Sequence, residues 1–97
     1  MTNLFSLENK KILVTGASSG IGKETSILLS NLNADLIICG RNEQRLLETK
    51  NALKNPQKHE MFIGDLNSEK SIQELLDSFE NVDGLVLIAG IVKTLPI

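Results

Sequence analysis

Eight consecutive residues, Thr15-Gly16-Ala17-Ser18-Ser19-Gly20-Ile21-Gly22, carry the strongest chemical signal in this chain. They follow the apolar run Ile12-Leu13-Val14 and open a segment with helical period. Glycines spaced G-x-x-x-G-x-G at a strand-to-helix junction suit anion binding. Gly16 can make the sharp exit from the strand, Gly20 can let a phosphate reach the backbone, and Gly22 lets helix and sheet pack closely. Free N–H groups and the positive end of the helix dipole then face the anion. Gly22-Lys23 is followed by Glu24 and not by Ser or Thr, which excludes a nucleoside triphosphate loop. A dinucleotide is the expected ligand, with Gly16, Ser18, Ser19, Gly20, Ile21 and Gly22 around it. No base accompanies Ser18 and Ser19, so their hydroxyls are read as phosphate ligands and not as a hydrolase nucleophile.

Composition narrows the field further. The 97 residues make at most one small domain, with ten Lys and Arg against twelve Asp and Glu and a net charge of -2. That balance offers no basic face for a phosphate backbone, so nucleic acid is not an expected partner. Cys39 is the only cysteine and His59 the only histidine, which excludes an internal disulfide and leaves too few ligands for a structural zinc site. No apolar run approaches bilayer-spanning length, and the N-terminus lacks a signal-peptide core. A cytoplasmic protein with no membrane partner is expected. There is no tyrosine anywhere in the chain.

The elements that must position the glycine turn follow from the apolar pattern. Ile12–Val14, Leu36–Ile38, Met61–Ile63 and Leu85–Ile88 are continuous apolar runs, the pattern of strands covered on both faces. Between them, Ile21, Thr25, Leu28, Leu29 and Leu32 predict one helical face, and Ile72, Leu75, Leu76 and Phe79 predict another. A middle helix is anchored by Leu46, Leu47 and Leu53. Asn33 suits a left-handed helix exit, Asn42 and Asn67 or Ser68 suit N-caps, and Asn55-Pro56 is expected to stop the middle helix. The order βαβαβαβ with right-handed crossovers predicts an α/β fold with a doubly wound parallel sheet of Rossmann-like form, strand order 3-2-1-4. Two helices should cover one face and the third the other. The switch point between the first and fourth strands is where ligand is expected.

These residues resemble the short-chain dehydrogenase/reductase family along essentially the whole chain. Thr15 to Gly22 is similar to its cofactor signature. Asp65-Leu66 resembles the pair beside the adenine ring, and Ala89-Gly90 resembles the end of its Asn-Asn-Ala-Gly motif. The resemblance implies a nicotinamide cofactor-binding portion, residues 1–97, of an oxidoreductase that moves hydride between cofactor and a carbonyl or alcohol carbon, including 3-oxoacyl reductase-like reactions. Asp65 also reads as a cap for the third helix, and both readings stand.

Cofactor choice turns on the end of the second strand. Enzymes selecting NAD commonly place a carboxylate there to hold the ribose hydroxyls. Here the residues are Cys39-Gly40-Arg41-Asn42, with Gly40 at the acid's position and a guanidinium beside it. NADP is therefore expected over NAD, with Arg41 and Asn42 in the site, against the plainer reading of Arg41 as a solvated residue before a helix. Cys39 is expected to be a small buried hydrophobe, and His59 to lie in an exposed turn.

The chain departs from the family pattern in two places. Leu87-Ile88 stand where the two asparagines belong, and the resemblance puts the catalytic Ser and Tyr-x-x-x-Lys in a part of the fold beyond these residues. The chain alone is expected to be inactive, with the small-molecule substrate engaged only by a longer form. Gly84–Ile88 is expected to leave an apolar edge prone to self-association or homo-oligomer formation. A non-catalytic dinucleotide-binding module, or a fragment without function of its own, are the alternatives.

Overall fold

A computed structural model describes residues 6–17, 19–64 and 68–88. Four strands, β1 (Lys11–Thr15), β2 (Asp35–Gly40), β3 (Glu60–Ile63) and β4 (Gly84–Val86), alternate with three helices, α1 (Gly20–Asn31), α2 (Glu43–Ala52) and α3 (Glu69–Ser78). All three strand pairs are parallel, and the sheet order is β3-β2-β1-β4. The expected doubly wound topology is observed.

The two central strands are the most apolar and the most deeply covered. Leu13, Val14, Leu36, Ile37 and Ile38 are essentially inaccessible, each contributing about 1.5–3 kcal/mol by burial. Side chains alternate between two layers. Ile12, Val14, Leu36 and Ile38 pack with Ile27 and Leu29 of α1 and with Leu46 of α2. Leu13, Ile37 and Cys39 face the other way, onto Leu75 and Leu76 of α3 and Phe79 just past its end. Two helices on one face and one on the other is what right-handed crossovers require of this order.

Several local expectations hold. Asn33 takes a left-handed φ of 74° just past α1, and Asn42 and Ser68 cap α2 and α3 with their side chains. Others fail. The buried face of α1 is Gly22, Ser26 and Ser30, while Ile21 and Leu28, both placed on the buried stripe from their spacing, are 71% and 60% exposed. The phase of α1 is set by Gly22, which lies against the backbone of Gly16 and Ala17, so residues at i+4 and i+8 from it must also face inward. Close approach of backbone outweighs the apolar count.

α2 ends at Ala52, three residues before Asn55. Leu53 turns to extended geometry and buries its side chain, and Asn55-Pro56 instead opens a single 3₁₀ turn, Pro56–Lys58. Leu47, taken as an anchor, is 44% exposed. His59 is buried and not in an exposed turn. Its Nδ1 accepts from the Leu36 N–H at 3.0 Å and its Nε2–H donates to the Lys54 carbonyl at 2.8 Å, so the ring ties the start of β2 to the exit of α2. β3 and β4 are less covered than their apolar runs predict, because each borders the sheet on one side: Ile63, Leu85 and Leu87 are exposed. β4 is regular only through Val86, two residues short of the expected Ile88.

Candidate functional site

The carboxyl ends of β1 and β4 meet at the sequence-predicted switch point. Val14 pairs with Val86, the last regular rung. Beyond it the Thr15 hydroxyl accepts from the Ile88 N–H at 3.1 Å and faces the Val86 carbonyl at 3.5 Å. Gly16 then leaves the strand at φ 68°, and a Cβ there would lie 3.3 Å from the Ile88 carbonyl carbon and closer still to its oxygen. Only glycine meets both demands. Thr15 had no role assigned beyond membership of the motif; a hydroxyl-bearing residue at the end of an otherwise apolar strand was the available signal.

The turn is drawn tight by its own polar groups. Ser19 is the N-cap of α1: its hydroxyl donates to the Gly16 carbonyl at 2.8 Å and accepts from the Gly22 N–H at 3.0 Å. The proton assigned to a phosphate is thus directed into the loop, and Ser19 shapes the turn in this geometry. A helix start leaves four N–H groups without intrahelical partners. Ser19 N–H bonds Gly16 and Gly22 N–H bonds Ser19 Oγ, which leaves those of Gly20 and Ile21 with no acceptor among the described residues. Both lie at the exposed start of α1, where the helix dipole is positive. Beyond its chain neighbours and its own helix backbone, nothing among the described residues lies within 4 Å of the place a Gly20 Cβ would take, whereas a Cβ on Gly22 would come within 2.7 Å of the Gly16 carbonyl carbon. Gly20 keeps an approach open, and Gly22 lets α1 dock.

Ala17 is wholly buried and held from both sides. Its N–H donates to the Cys39 carbonyl at 3.1 Å, and its carbonyl accepts from the Thr49 hydroxyl at 3.1 Å. Thr49 was not singled out from the sequence. It lies three residues after Leu46 and four before Leu53, on the buried phase of α2, and a threonine on such a stripe is the signal that would have found it.

At the end of β2, Gly40 is buried and presents no side chain, and Arg41 is exposed with no ion pair among the described residues. Asn42 Oδ1 accepts from the Arg45 N–H at 3.0 Å, so that oxygen serves the helix cap. Arg41 therefore stands immediately before a second helix N-terminus. Burial pushes the Cys39 thiol up to about 12, which keeps it protonated and unreactive near neutrality, as expected for a packing residue. Ser18, Asp65, Leu66, Ala89 and Gly90 lie outside the described residues.

Comparison with known proteins gives this geometry a lineage. The family model described as short chain dehydrogenase matches residues 10–97. The chain belongs to the short-chain dehydrogenase family. It is 38% identical over 88 residues to the uncharacterized oxidoreductase DltE of Bacillus subtilis strain 168, covering 90% of this chain and 35% of that protein. It is likewise 38% identical over 88 residues to the 3-oxoacyl-[acyl-carrier-protein] reductase FabG of Rickettsia prowazekii, covering 91% of this chain and 36% of that protein. Among solved structures it is similar to a short chain dehydrogenase from Escherichia coli CFT073 complexed with NADPH, with a TM-score of 0.76 at 29% identity over 93% of this chain and 41% of that one. The chain thus spans little more than a third of the length of these two curated relatives.

Proposed function

We propose that this chain binds NADP(H) as the cofactor-binding part of a short-chain dehydrogenase. The observation that carries the reading is the pair of N–H groups on Gly20 and Ile21, without acceptors among the described residues, beside an open Gly20. They would hold the pyrophosphate, with the α1 dipole behind them. Arg41, following a glycine where a carboxylate would discriminate against it, would meet the 2′-phosphate in a charge-assisted, two-point contact. A structural relative at 29% identity being complexed with NADPH supports the same choice. Asp65-Leu66 and Ala89-Gly90 complete the proposed site through the family resemblance of those residues.

When bound, the nicotinamide would supply hydride chemistry toward a carbonyl or alcohol carbon, and likeness to FabG favours a 3-oxoacyl substrate class. This chain's part is to bind and orient. Gly16 and Ile88 would form the floor of the crevice, and Gly20, Ile21 and Arg41 would fix the two phosphates that set the cofactor's direction. Leu87 and Ile88 in place of the family's asparagines favour a second reading, a dinucleotide-binding module without turnover of its own.

Titration with NADPH and NADH, followed by nicotinamide fluorescence, tests the first reading. NADPH is expected to bind more tightly, and Arg41→Ala to weaken NADPH by roughly tenfold or more while leaving NADH nearly unchanged, the loss of one charge-assisted contact. Equal loss for both cofactors would refute the assignment of Arg41. Binding of NADPH without oxidation or reduction of any carbonyl or alcohol substrate would favour the second reading.

A further inference from the structure

Thr49 sits in the second turn of α2, fully buried, away from the exposed start of α1 where the ligand is proposed. Its hydroxyl has one proton and two acceptors in reach: the Ala17 carbonyl at 3.1 Å and the Arg45 carbonyl of its own helix at 3.2 Å. The two acceptors are not equivalent. The Arg45 carbonyl belongs to the helix ladder, whose N–H at Thr49 already supplies its donor. The Ala17 carbonyl is buried, and among the described residues no other group donates to it. A buried carbonyl left without a donor is costly, so the proton belongs to Ala17. The other half of Ala17, its N–H, is bound to Cys39 at the end of β2.

We infer that Thr49 is a positioning residue for the dinucleotide: its hydroxyl, by holding the Ala17 carbonyl, fixes the glycine turn against the second strand-helix unit. The inference rests on the cofactor reading above and names a residue outside the motif on which that site depends. The glycine turn carries the Gly20 and Ile21 N–H groups, while β2 and α2 carry Arg41 between them. Ala17, clamped by Cys39 on one side and Thr49 on the other, anchors the turn whose N–H groups would meet the pyrophosphate, while Arg41 keeps its own place between β2 and α2. Releasing the carbonyl frees the turn where it departs from β1, two residues before the Ser19 cap. The loss should fall on the pyrophosphate, which both nicotinamide cofactors share, and not on the 2′-phosphate that distinguishes them.

The matched pair Thr49→Ser and Thr49→Ala isolates the hydroxyl, since both lose the methyl group and differ only in Oγ. Each variant of the full chain is titrated with NADPH and with NADH well below its melting midpoint, so that a change in stability alone does not move the result. Thr49→Ala is expected to bind both cofactors about fivefold more weakly than wild type, by an equal factor for each. Thr49→Ser is expected to recover wild-type affinity. Thr49→Val, which keeps the shape, should behave as Thr49→Ala and serves if alanine leaves a cavity that prevents folding. The inference is overturned if serine and alanine bind alike, or if the loss is confined to NADPH. Failure of the wild-type chain to bind either cofactor would instead overturn the dinucleotide reading, and the role of Thr49 with it.

Discussion

A methyl group added at Gly20 would point into open space, with no atom of the described residues within 4 Å of it beyond its chain neighbours and its own helix backbone. Gly20 is the first residue of α1 and has no positive φ, so alanine fits the backbone without strain. Alanine also lowers the entropy of the unfolded chain, a gain of about 0.5 kcal/mol at a compatible site. For a domain of this size that corresponds to a rise of roughly 2–4 °C in melting midpoint. The same methyl stands in the path by which an anion would reach the Gly20 and Ile21 N–H groups. Losing one of those two charge-assisted hydrogen bonds costs about 1.5–3 kcal/mol, or roughly ten- to hundredfold in affinity. Gly20→Ala is therefore expected to melt at or slightly above the wild-type temperature while binding NADPH far more weakly. Gly22→Ala is the contrast. Its Cβ would lie 2.7 Å from the Gly16 carbonyl carbon and 2.9 Å from Ala17 Cα, backbone atoms that cannot rotate aside. An overpacking cost of about 1–3 kcal/mol then outweighs the helix-propensity gain of about 1 kcal/mol. Thermal melts and NADPH titrations of the two variants decide the matter. If Gly20→Ala binds as wild type does, no phosphate lies over Gly20; if it melts as low as Gly22→Ala, the space above Gly20 is not open.

His59→Leu keeps the volume but strands the Leu36 N–H and the Lys54 carbonyl, and should lower stability by about 2–4 kcal/mol in urea denaturation; a change below about 0.5 kcal/mol would mean that the ring is not bridging them. Cys39 should resist alkylation at pH 8 until the chain is unfolded, because its thiol is pushed up to about 12 by burial. Its ordinary value is 9.0, so the burial contributes fully below pH 9 and is lost as pH rises toward 12. Cys39→Ala should show a shallower decline in stability over that window, and identical pH profiles would contradict the burial.

Sheet order and the sidedness of the helices were legible because they depend on the order of elements and the hand of crossovers, which tolerate errors of a residue or two. The conformations of Gly16 and Gly22 were legible for a similar reason: each glycine answers to a single steric demand. The burial of α1 was not. Counting apolar residues placed Ile21 and Leu28 inward, but the helix is rotated by one backbone contact at Gly22 that no hydropathy pattern records. His59 and Thr49 escaped for a different reason. Each is a polar residue whose burial depends on one distant backbone group, Leu36 N–H in one case and Ala17 carbonyl in the other, at separations of 23 and 32 residues. Ser19 shows the same ambiguity at short range, since a hydroxyl suited to a phosphate is equally suited to a cap.

The join between β1 and β4 ends in an unusual rung. After Val14 and Val86 the backbone ladder stops, and the Thr15 side chain takes the Ile88 N–H that a ladder would have served. A side chain reaches further than a main-chain carbonyl and can turn about its own bonds. The two strands therefore part company without leaving that part-buried donor unmet. At the same level Gly16 and Ile88 meet backbone against backbone. The end of β4 is therefore held to the glycine turn twice over, once by a rotatable hydroxyl and once by fixed backbone.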